Sequence, residues 1–195
     1  MREANAMRVK AKPSTRELML DSTIGLLQRQ SAAAVTLDAV LADSGAPRGS
    51  VYYHFPGGRN ELIRAAVEVA GERMRERMER ASDGAGPQEA LAAFADSWKT
   101  RLVTSDFRAG CPIVAAAVDD EHLVPEAKEA VRDVFARWHD LLAAAFTRAG
   151  RSAEQAASLA TLGISAVEGA VLLCRLQGSL QPLDDVVAEL APLLA

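Results

Sequence analysis

Residues 36–62 read TLDAVLADSGAPRGSVYYHFPGGRNEL and contain two short helical patterns separated by a turn. Thr36 is a residue type that caps helix N-termini, and apolar residues recur behind it at helical spacing. Gly45 ends this first pattern, and Pro47 suits the first turn of a second helix, where no intrahelical N–H bond is lost. Two short helices joined by a tight turn form a helix-turn-helix, which is a common DNA-binding unit.

A third helix is predicted upstream, because so small a unit needs a further helix to close its core. Ser14 and Glu17 form an S-x-x-E capping box, and an apolar stripe at helical spacing follows them. In the second helix of the turn unit, Val51 and Phe55 lie four residues apart, so we expect them to bury its inner face. The sequence therefore predicts a three-helix domain over residues 14–58.

A threonine, a glycine-containing turn and a Tyr-x-His-Phe run occur in that order at Thr36, Gly45 and residues 52–55. With this signature the segment resembles the DNA-binding domain of the TetR family of transcriptional regulators. The resemblance implies that residues 47–53 form the recognition helix, which enters the major groove of double-stranded operator DNA.

Arg48 is the candidate for reading bases, since a guanidinium can bond the O6 and N7 atoms of guanine. The resemblance assigns phosphate contacts to Thr36, Tyr52 and His54. Arg59 stands where the family usually carries a phosphate-binding lysine. The alternatives are that Tyr52 and His54 are partly buried packing residues and that Arg59 is a solvated surface charge. The full set of predicted DNA-contacting residues is Thr36, Pro47, Arg48, Gly49, Ser50, Tyr52, Tyr53, His54 and Arg59.

Two positions depart from the family pattern. Ser31 and Ala32 stand where a glycine and an aromatic residue are common, and we expect the change to thin the small core slightly. Asp38 lies in the first turn of the first helix of the turn unit, where it either accepts a hydrogen bond from a cytosine amine or faces solvent.

Charge is distributed unevenly along the chain, whose formal net charge is −4. Residues 1–65 hold nine Lys and Arg against six acidic residues, which gives +3 and leaves −7 for the rest. The positive end is therefore the end with the helix-turn-helix. Residues 1–13 lack apolar periodicity, so they are either a flexible basic arm that contacts DNA or a tail kept soluble by charge.

The remaining residues predict a second, larger helical domain. Helical periodicity recurs along the chain without sustained β-type alternation, so the predicted fold is all-α. Residues 59–81 form a charged connecting helix, and residues 82–195 form the ligand-binding and dimerisation domain. No signal peptide is visible, and no apolar run approaches the length of a membrane span, so a cytoplasmic location is expected.

The runs GCPIVAAAVDDE, residues 110–121, and ISAVEGAVLLCRLQGSLQPL, residues 164–183, resemble the LmrA/YxaF-like multidrug-responsive repressors of the TetR family. The resemblance implies a repressor that a small apolar effector releases from its operator, with an apolar cavity among the central helices. Glu168 either caps a polar group of the ligand or bonds across a dimer interface, because a carboxylate is seldom left unpaired in an interior. The candidate ligand-binding residues are Phe94, Trp98, Phe107, Cys111, Ile113, Val114, Trp138, His139, Glu168 and Cys174.

A homodimer is predicted because one two-turn helix contacts too few bases for useful specificity. The last two helices are the expected interface, since small residues at helical spacing let helices approach closely. The alternative is that the penultimate helix only fills the core of one chain. The predicted interface residues are Leu159, Leu162, Gly163, Ala166, Val167, Ala170 and Leu173.

The sequence does not predict an enzyme, and no cofactor or metal site is expected. It contains neither HExxH, CxxC, a Walker loop nor GxSxG, and a nucleophile and base formed by Cys111 and His122 is the enzymatic alternative. The cysteines also admit a redox-responsive regulator that senses through Cys111 or Cys174. A helical interaction protein that does not bind DNA is the third class that the pattern allows.

Overall fold

The computed structural model of the protein describes residues 13–82, 86–119, 121 and 123–193. Within these ranges all regular structure is helical, which confirms the predicted all-α fold. The helices are α1 (Thr15–Arg29), α2 (Leu37–Ser44), α3 (Val51–His54), α4 (Gly58–Ser82), α5 (Pro87–Thr104), α6 (Pro112–Val118), α7 (Pro125–Arg148), α8 (Ala153–Gln177) and α9 (Gln181–Leu190). The predicted basic arm lies outside the described residues except for Pro13.

Local capping fixes the start of α1 and both ends of α2. The Ser14 hydroxyl accepts a hydrogen bond from the Glu17 amide at 3.2 Å, and the Glu17 carboxylate accepts from the Ser14 amide at 2.7 Å. The Thr36 hydroxyl accepts from the Ala39 amide at 3.1 Å. Gly45 has φ 67°, the left-handed conformation that ends a helix and favours glycine. We call α1–α3 and the loops between them, residues 14–55, the reading head.

The recognition segment differs from the regular helix predicted over residues 47–53. Pro47 has extended backbone angles, φ −61° and ψ 136°, and lies outside the helix. Residues 48–50 form a 3₁₀ turn, in which the Ser50 amide and hydroxyl both donate to the Pro47 carbonyl, at 2.9 and 2.6 Å. Regular α-helix follows only over Val51–His54. A short run that contains glycine and serine has low helix propensity, so the segment begins with the tighter 3₁₀ turn before the α-helix.

The helix α4 runs from the reading head into the rest of the molecule. At its start Leu62 and Ile63 are buried with Val51 and Phe55 in the core of the head. Further along, the Trp138 indole N–H of α7 donates to the Gly71 carbonyl at 3.1 Å. α4 therefore contributes to the packing of both halves of the chain.

Close packing of α4 on α7 requires a glycine at position 71. A Cβ added to Gly71 would lie 2.4 Å from Cγ2 of Val134, which is far inside contact distance. The two helices meet along their length, and Trp138 packs edge-on against Phe94 of α5 and Phe135 of α7. These aromatic rings form the centre of the larger core.

The helix α8 buries one face and exposes another. Val167, Ala170 and Cys174 face the core, whereas Leu173 and Leu176 are exposed. By length and composition α8 is apolar enough to cross a membrane, so the prediction that no segment approaches a membrane span was wrong. The core of a helical bundle selects the same long stretch of Leu, Val and Ala, and α8 packs here against α5, α7 and α9.

Candidate DNA-reading surface and adjoining cavity

Six of the nine predicted DNA-contacting residues are exposed, and the other three are partly buried. Tyr52 and Tyr53 are 65% and 82% exposed, and their aromatic rings are therefore available to a partner. Pro47 and Gly49 are also exposed, while Ser50 and His54 are partly buried. The His54 ring packs edge-on against Tyr53, with 4.8 Å between ring centroids. The alternative that Tyr52 is a packing residue does not fit its exposure, whereas partial packing does describe His54.

Arg48 forms an ion pair with Asp38, and both side chains are exposed, at 81% and 75%. The contact places Asp38 against the proposed base-reading residue, a third possibility beside a cytosine contact and free exposure to solvent. An exposed pair of this kind contributes at most about 1 kcal/mol to stability. The Arg48 guanidinium is engaged by Asp38, so it has to leave this carboxylate before it can bond another acceptor.

Arg59 holds the loop that precedes α2. Its Nε donates to the Val35 carbonyl and its Nη2 to the Ala32 carbonyl, both at 2.6 Å, and the side chain is partly buried. The alternative of a plain solvated charge is therefore wrong. Hydrogen bonds that involve a charged donor are among the stronger ones in proteins. Arg59 thus fixes the approach to Thr36, the N-cap of α2 and a predicted phosphate contact.

A cavity of about 440 Å³ lies between α6 and α8, next to the reading head. This volume is within the usual range for sites that bind small organic molecules. Its walls are mostly small or aliphatic, and Gln30 at the end of α1 contributes to them. The lining residues are Gln30, Gly110, Cys111, Val114, Ala115, Val118, Glu168, Gly169, Val171, Leu172 and Arg175.

Two buried polar atoms of the cavity wall have no hydrogen-bond partner among the described residues, Oε1 of Glu168 and Nε of Arg175. The Glu168 carboxyl accepts a hydrogen bond from the Cys111 thiol. Burial raises the pKa of Glu168 to about 7. Burial also raises the pKa of Cys111 well above its usual value, and the neighbouring Glu168 adds to the effect. The cavity therefore has an apolar wall with one acidic and one basic side chain set into it.

Three of the predicted ligand-binding residues line this cavity: Cys111, Val114 and Glu168. Phe94, Trp98 and Trp138 are fully buried in the core. Ile113 and Cys174 are also buried.

Phe107 and His139 lie away from the cavity wall. Phe107 belongs to the loop after α5 and has φ 56°. A ring nitrogen of His139 lies 3.0 Å from the Ala157 carbonyl of α8.

Sequence reasoning missed most of the cavity, including Arg175. Counting along α8 from Glu168 would have found it, because residues 171, 172 and 175 share a helix face with residue 168. No sequence signal connects Gln30, in the other half of the chain, to this site.

Both ends of α6 are hydrogen-bonded to the reading head. Just before the helix, the Gly110 amide donates to the Gln28 carbonyl at 2.9 Å. At its C-terminal end, the Asp119 carboxylate accepts from the Ala33 amide at 2.7 Å. These two hydrogen bonds link α6 to the end of α1 and to the loop between α1 and α2.

The thiols of Cys111 and Cys174 are both buried, and burial raises the pKa of each. A thiol reacts with oxidants as the thiolate, so a raised pKa and a buried sulfur both oppose the reaction. The structure offers no support for redox sensing through either residue.

Comparison with known proteins settles the family. Residues 87–189 match the family described as "Transcriptional regulator LmrA/YxaF-like, C-terminal domain". Over 185 residues the chain is 42% identical to an uncharacterized HTH-type transcriptional regulator of Mycobacterium tuberculosis, with 92% of this chain and 93% of that protein covered. The chain belongs to the LmrA/YxaF-like regulators of the TetR family. HTH-type transcriptional regulator LmrA of Bacillus subtilis is 28% identical over 163 residues, with 82% and 85% covered.

Solved structures of TetR-family proteins have the same fold. The TetR transcriptional regulator from Legionella pneumophila superposes with a TM-score of 0.87 at 22% identity, covering 95% of this chain and 100% of that one. For the regulatory protein TetR from Rhodobacter sphaeroides the TM-score is 0.83 at 21% identity, with 91% and 97% covered. TetR-family proteins are transcriptional regulators and not enzymes, which confirms that prediction. His122, of the enzymatic alternative, lies outside the described residues.

Proposed function

We propose that this TetR-family regulator is a homodimeric, cytoplasmic repressor that leaves its operator when a small, mostly apolar effector enters the α6–α8 cavity. The observation that carries the proposal is the pair of hydrogen bonds that join both ends of α6 to the reading head. A ligand that binds one position of α6 more tightly than another would favour one position of the head. Binding energy at the cavity is thereby coupled to affinity for DNA.

The DNA-binding part of the proposal assigns base reading to Arg48 and backbone contacts to Thr36, Tyr52, Tyr53 and His54. The exposure of Arg48 and of both tyrosines supports these roles, since none of them is needed to fill the core. Arg59 receives a different role, because its guanidinium is bonded to backbone carbonyls. We propose that Arg59 positions the N-terminus of α2 for a phosphate and acts on DNA through that positioning.

An exposed apolar stripe on α8 supports the homodimer. Residues 162, 166, 169, 173 and 176 follow one another at spacings of four and three, so they lie on one helix face. Leu162 and Leu173 are nearly half exposed, and Leu176 is 75% exposed. Ala166 and Gly169 between them are small and permit close helix contact. Of the predicted interface, Gly163, Val167 and Ala170 are buried within the chain, so we propose the stripe in their place.

Fluorescence anisotropy on duplex DNA tiled across the region upstream of the gene tests operator binding. We expect one tile to bind with nanomolar affinity that falls as salt rises, because phosphate contacts release counterions. Arg48→Ala should weaken binding to that tile by about 1–3 kcal/mol, the contribution of a bidentate arginine–guanine contact. Arg148→Ala, at the far end of α7, is the matched control and should change nothing. Equal, weak binding of all tiles by the wild type and both variants would refute the assignment.

Light scattering on Leu176→Glu tests the proposed dimer interface. A carboxylate within an apolar contact is desolvated without a partner, so we expect the variant to be monomeric at micromolar concentration and to lose operator binding. Val103→Glu replaces a similarly exposed residue of α5 and should remain dimeric. A dimeric Leu176→Glu variant would show that the contact between chains lies elsewhere.

A further inference from the structure

Glu168 and Arg175 stand out in the cavity wall because each has a buried polar atom without a partner among the described residues. A buried donor or acceptor left without a hydrogen bond is unfavourable, and native structures keep few of them. Here an acceptor and a donor of this kind occur together, and both belong to residues that line one cavity. The cavity therefore has polar positions that a bound molecule can satisfy.

The two side chains reach the same short piece of backbone. Glu168 and Arg175 lie seven residues apart on α8, about two turns or 10 Å along the helix axis. The Glu168 carboxyl bonds to the Cys111 thiol. The Arg175 guanidinium covers the preceding residue, since a Cβ added to Gly110 would lie 2.6 Å from its Nη1. Both polar groups thus approach the step from residue 110 to residue 111.

The surroundings of the two groups are apolar. Val114 and Val118 of α6 and Val171 of α8 line the same cavity. No ion pair joins Glu168 to Arg175 within the described part of the chain, so neither group satisfies the other. A ligand that carried only a cation would leave the arginine unsatisfied, and one that carried only an anion would leave the glutamate unsatisfied.

We propose that the α6–α8 cavity binds an organic molecule with an apolar body and one carboxamide group, whose N–H donates to Glu168 and whose C=O accepts from Arg175. The apolar body occupies the space along the valines of α6 and α8. The proposal rests on the proposed function only in taking this cavity as the effector site. It adds the chemical class that the site selects.

A set of four matched probes tests this selectivity: 3-phenylpropanamide, 3-phenylpropylamine, 3-phenylpropanoate and propylbenzene. They share one apolar body and differ in the polar group alone. In calorimetric titrations without DNA we expect the amide to bind at least about tenfold more tightly than propylbenzene, and more tightly than the amine or the acid. The amine satisfies only the glutamate, and the acid satisfies only the arginine.

Variants of the two polar residues assign the selectivity to this site. Glu168→Met and Arg175→Met each remove one hydrogen-bond partner of the amide. Each variant should therefore bind the amide about tenfold or more weakly than wild type and bind propylbenzene with an affinity within about threefold of wild type. Glu129→Met, at an exposed position of α7, is the matched control. Circular dichroism of each variant confirms that it is folded.

Three results would overturn the proposal: similar affinity for all four probes, tightest binding of propylbenzene, or no binding of the amide up to about 1 mM. Amide binding that survives both methionine variants would place the ligand elsewhere and overturn it equally. Release of operator DNA is measured separately by anisotropy. If the amide binds as described but leaves the DNA complex intact, the ligand class stands and the effector mechanism fails.

Discussion

Replacing Glu168 with glutamine removes a titrating carboxyl from the cavity wall and keeps its shape. Burial raises the pKa of this group from 4.5 to about 7, so the folded protein binds the proton more tightly than the unfolded chain does. Below pH 4.5 the carboxyl is protonated in both the folded and the unfolded state, so its ionisation does not lower the stability. As pH rises through the window from 4.5 to 7, stability falls, because the folded state has to ionise a buried group.

The size of this loss follows from the shift. A rise in pKa from 4.5 to about 7 corresponds to about 3.5 kcal/mol, at roughly 1.4 kcal/mol for each unit of pKa. Glu168 is only partly buried as a residue, so solvent screening reduces the figure, and we expect about 2 kcal/mol between pH 5 and pH 8. For a chain of this length that is a change of about 4–8 °C in Tm.

Urea unfolding at pH 5, 6, 7 and 8 measures the effect, with the buried Trp98 and Trp138 as fluorescent reporters. From pH 5 to pH 8 the free energy of unfolding of wild type should fall by about 2 kcal/mol more than that of Glu168→Gln. Protein concentration is held constant, since association contributes to apparent stability. Glu129→Gln is exposed and should follow wild type. If Glu168→Gln and wild type show the same dependence on pH, the carboxyl is not buried as described and the reasoning fails.

Three other substitutions test the reading head and the packing of α4. Asp38→Asn removes the anionic partner of Arg48, the proposed base-reading residue. We expect binding to random DNA to strengthen about two- to fivefold and binding to the operator to strengthen less, as measured by anisotropy titrations with both DNAs. Arg59→Met removes two charged hydrogen bonds and should lower the free energy of unfolding by about 1.5–3 kcal/mol. It should also speed amide hydrogen exchange at the start of α2, whereas unchanged exchange would contradict the positioning role. Gly71→Ala forces a Cβ against Val134 and should cost about 1–3 kcal/mol in urea unfolding. Gly25→Ala meets only the flexible end of an arginine and should be neutral or stabilising.

The helices were predictable from sequence because their ends are set locally. The sequence predicted the capping box at Ser14 and the helix end at Gly45, which act within a few residues, and the structure contains both. In the structure, Ser152 and the left-handed Gly178 cap α8 in the same local way. The 3₁₀ start of the recognition segment was not predicted. Proline at the first helical turn and proline just before a helix look alike in a sequence, and the choice depends on how the segment packs.

The cavity was harder to predict because the candidates were the large or polar residues of the apolar segments. Large aromatic side chains such as Trp98 and Trp138 fill space, and the structure places them in the core. A cavity forms where side chains are small, and here Ala115 and Gly169 help to line it. Sequence patterns show which residues are buried, but they do not show where packed helices such as α6 and α8 leave a space between them.

If Arg48 reads bases as we propose, its ion pair with Asp38 would affect how many copies of the protein a cell needs. Random chromosomal DNA offers a vast excess of phosphate sites that compete with an operator for a DNA-binding protein. Asp38 repels those phosphates and already occupies the guanidinium, so contact with random DNA gains little from Arg48. A correctly placed guanine offers two acceptors at once, which offsets the loss of the pair. On this proposal a smaller share of the protein would be held on random DNA, and fewer molecules would suffice to keep one operator occupied.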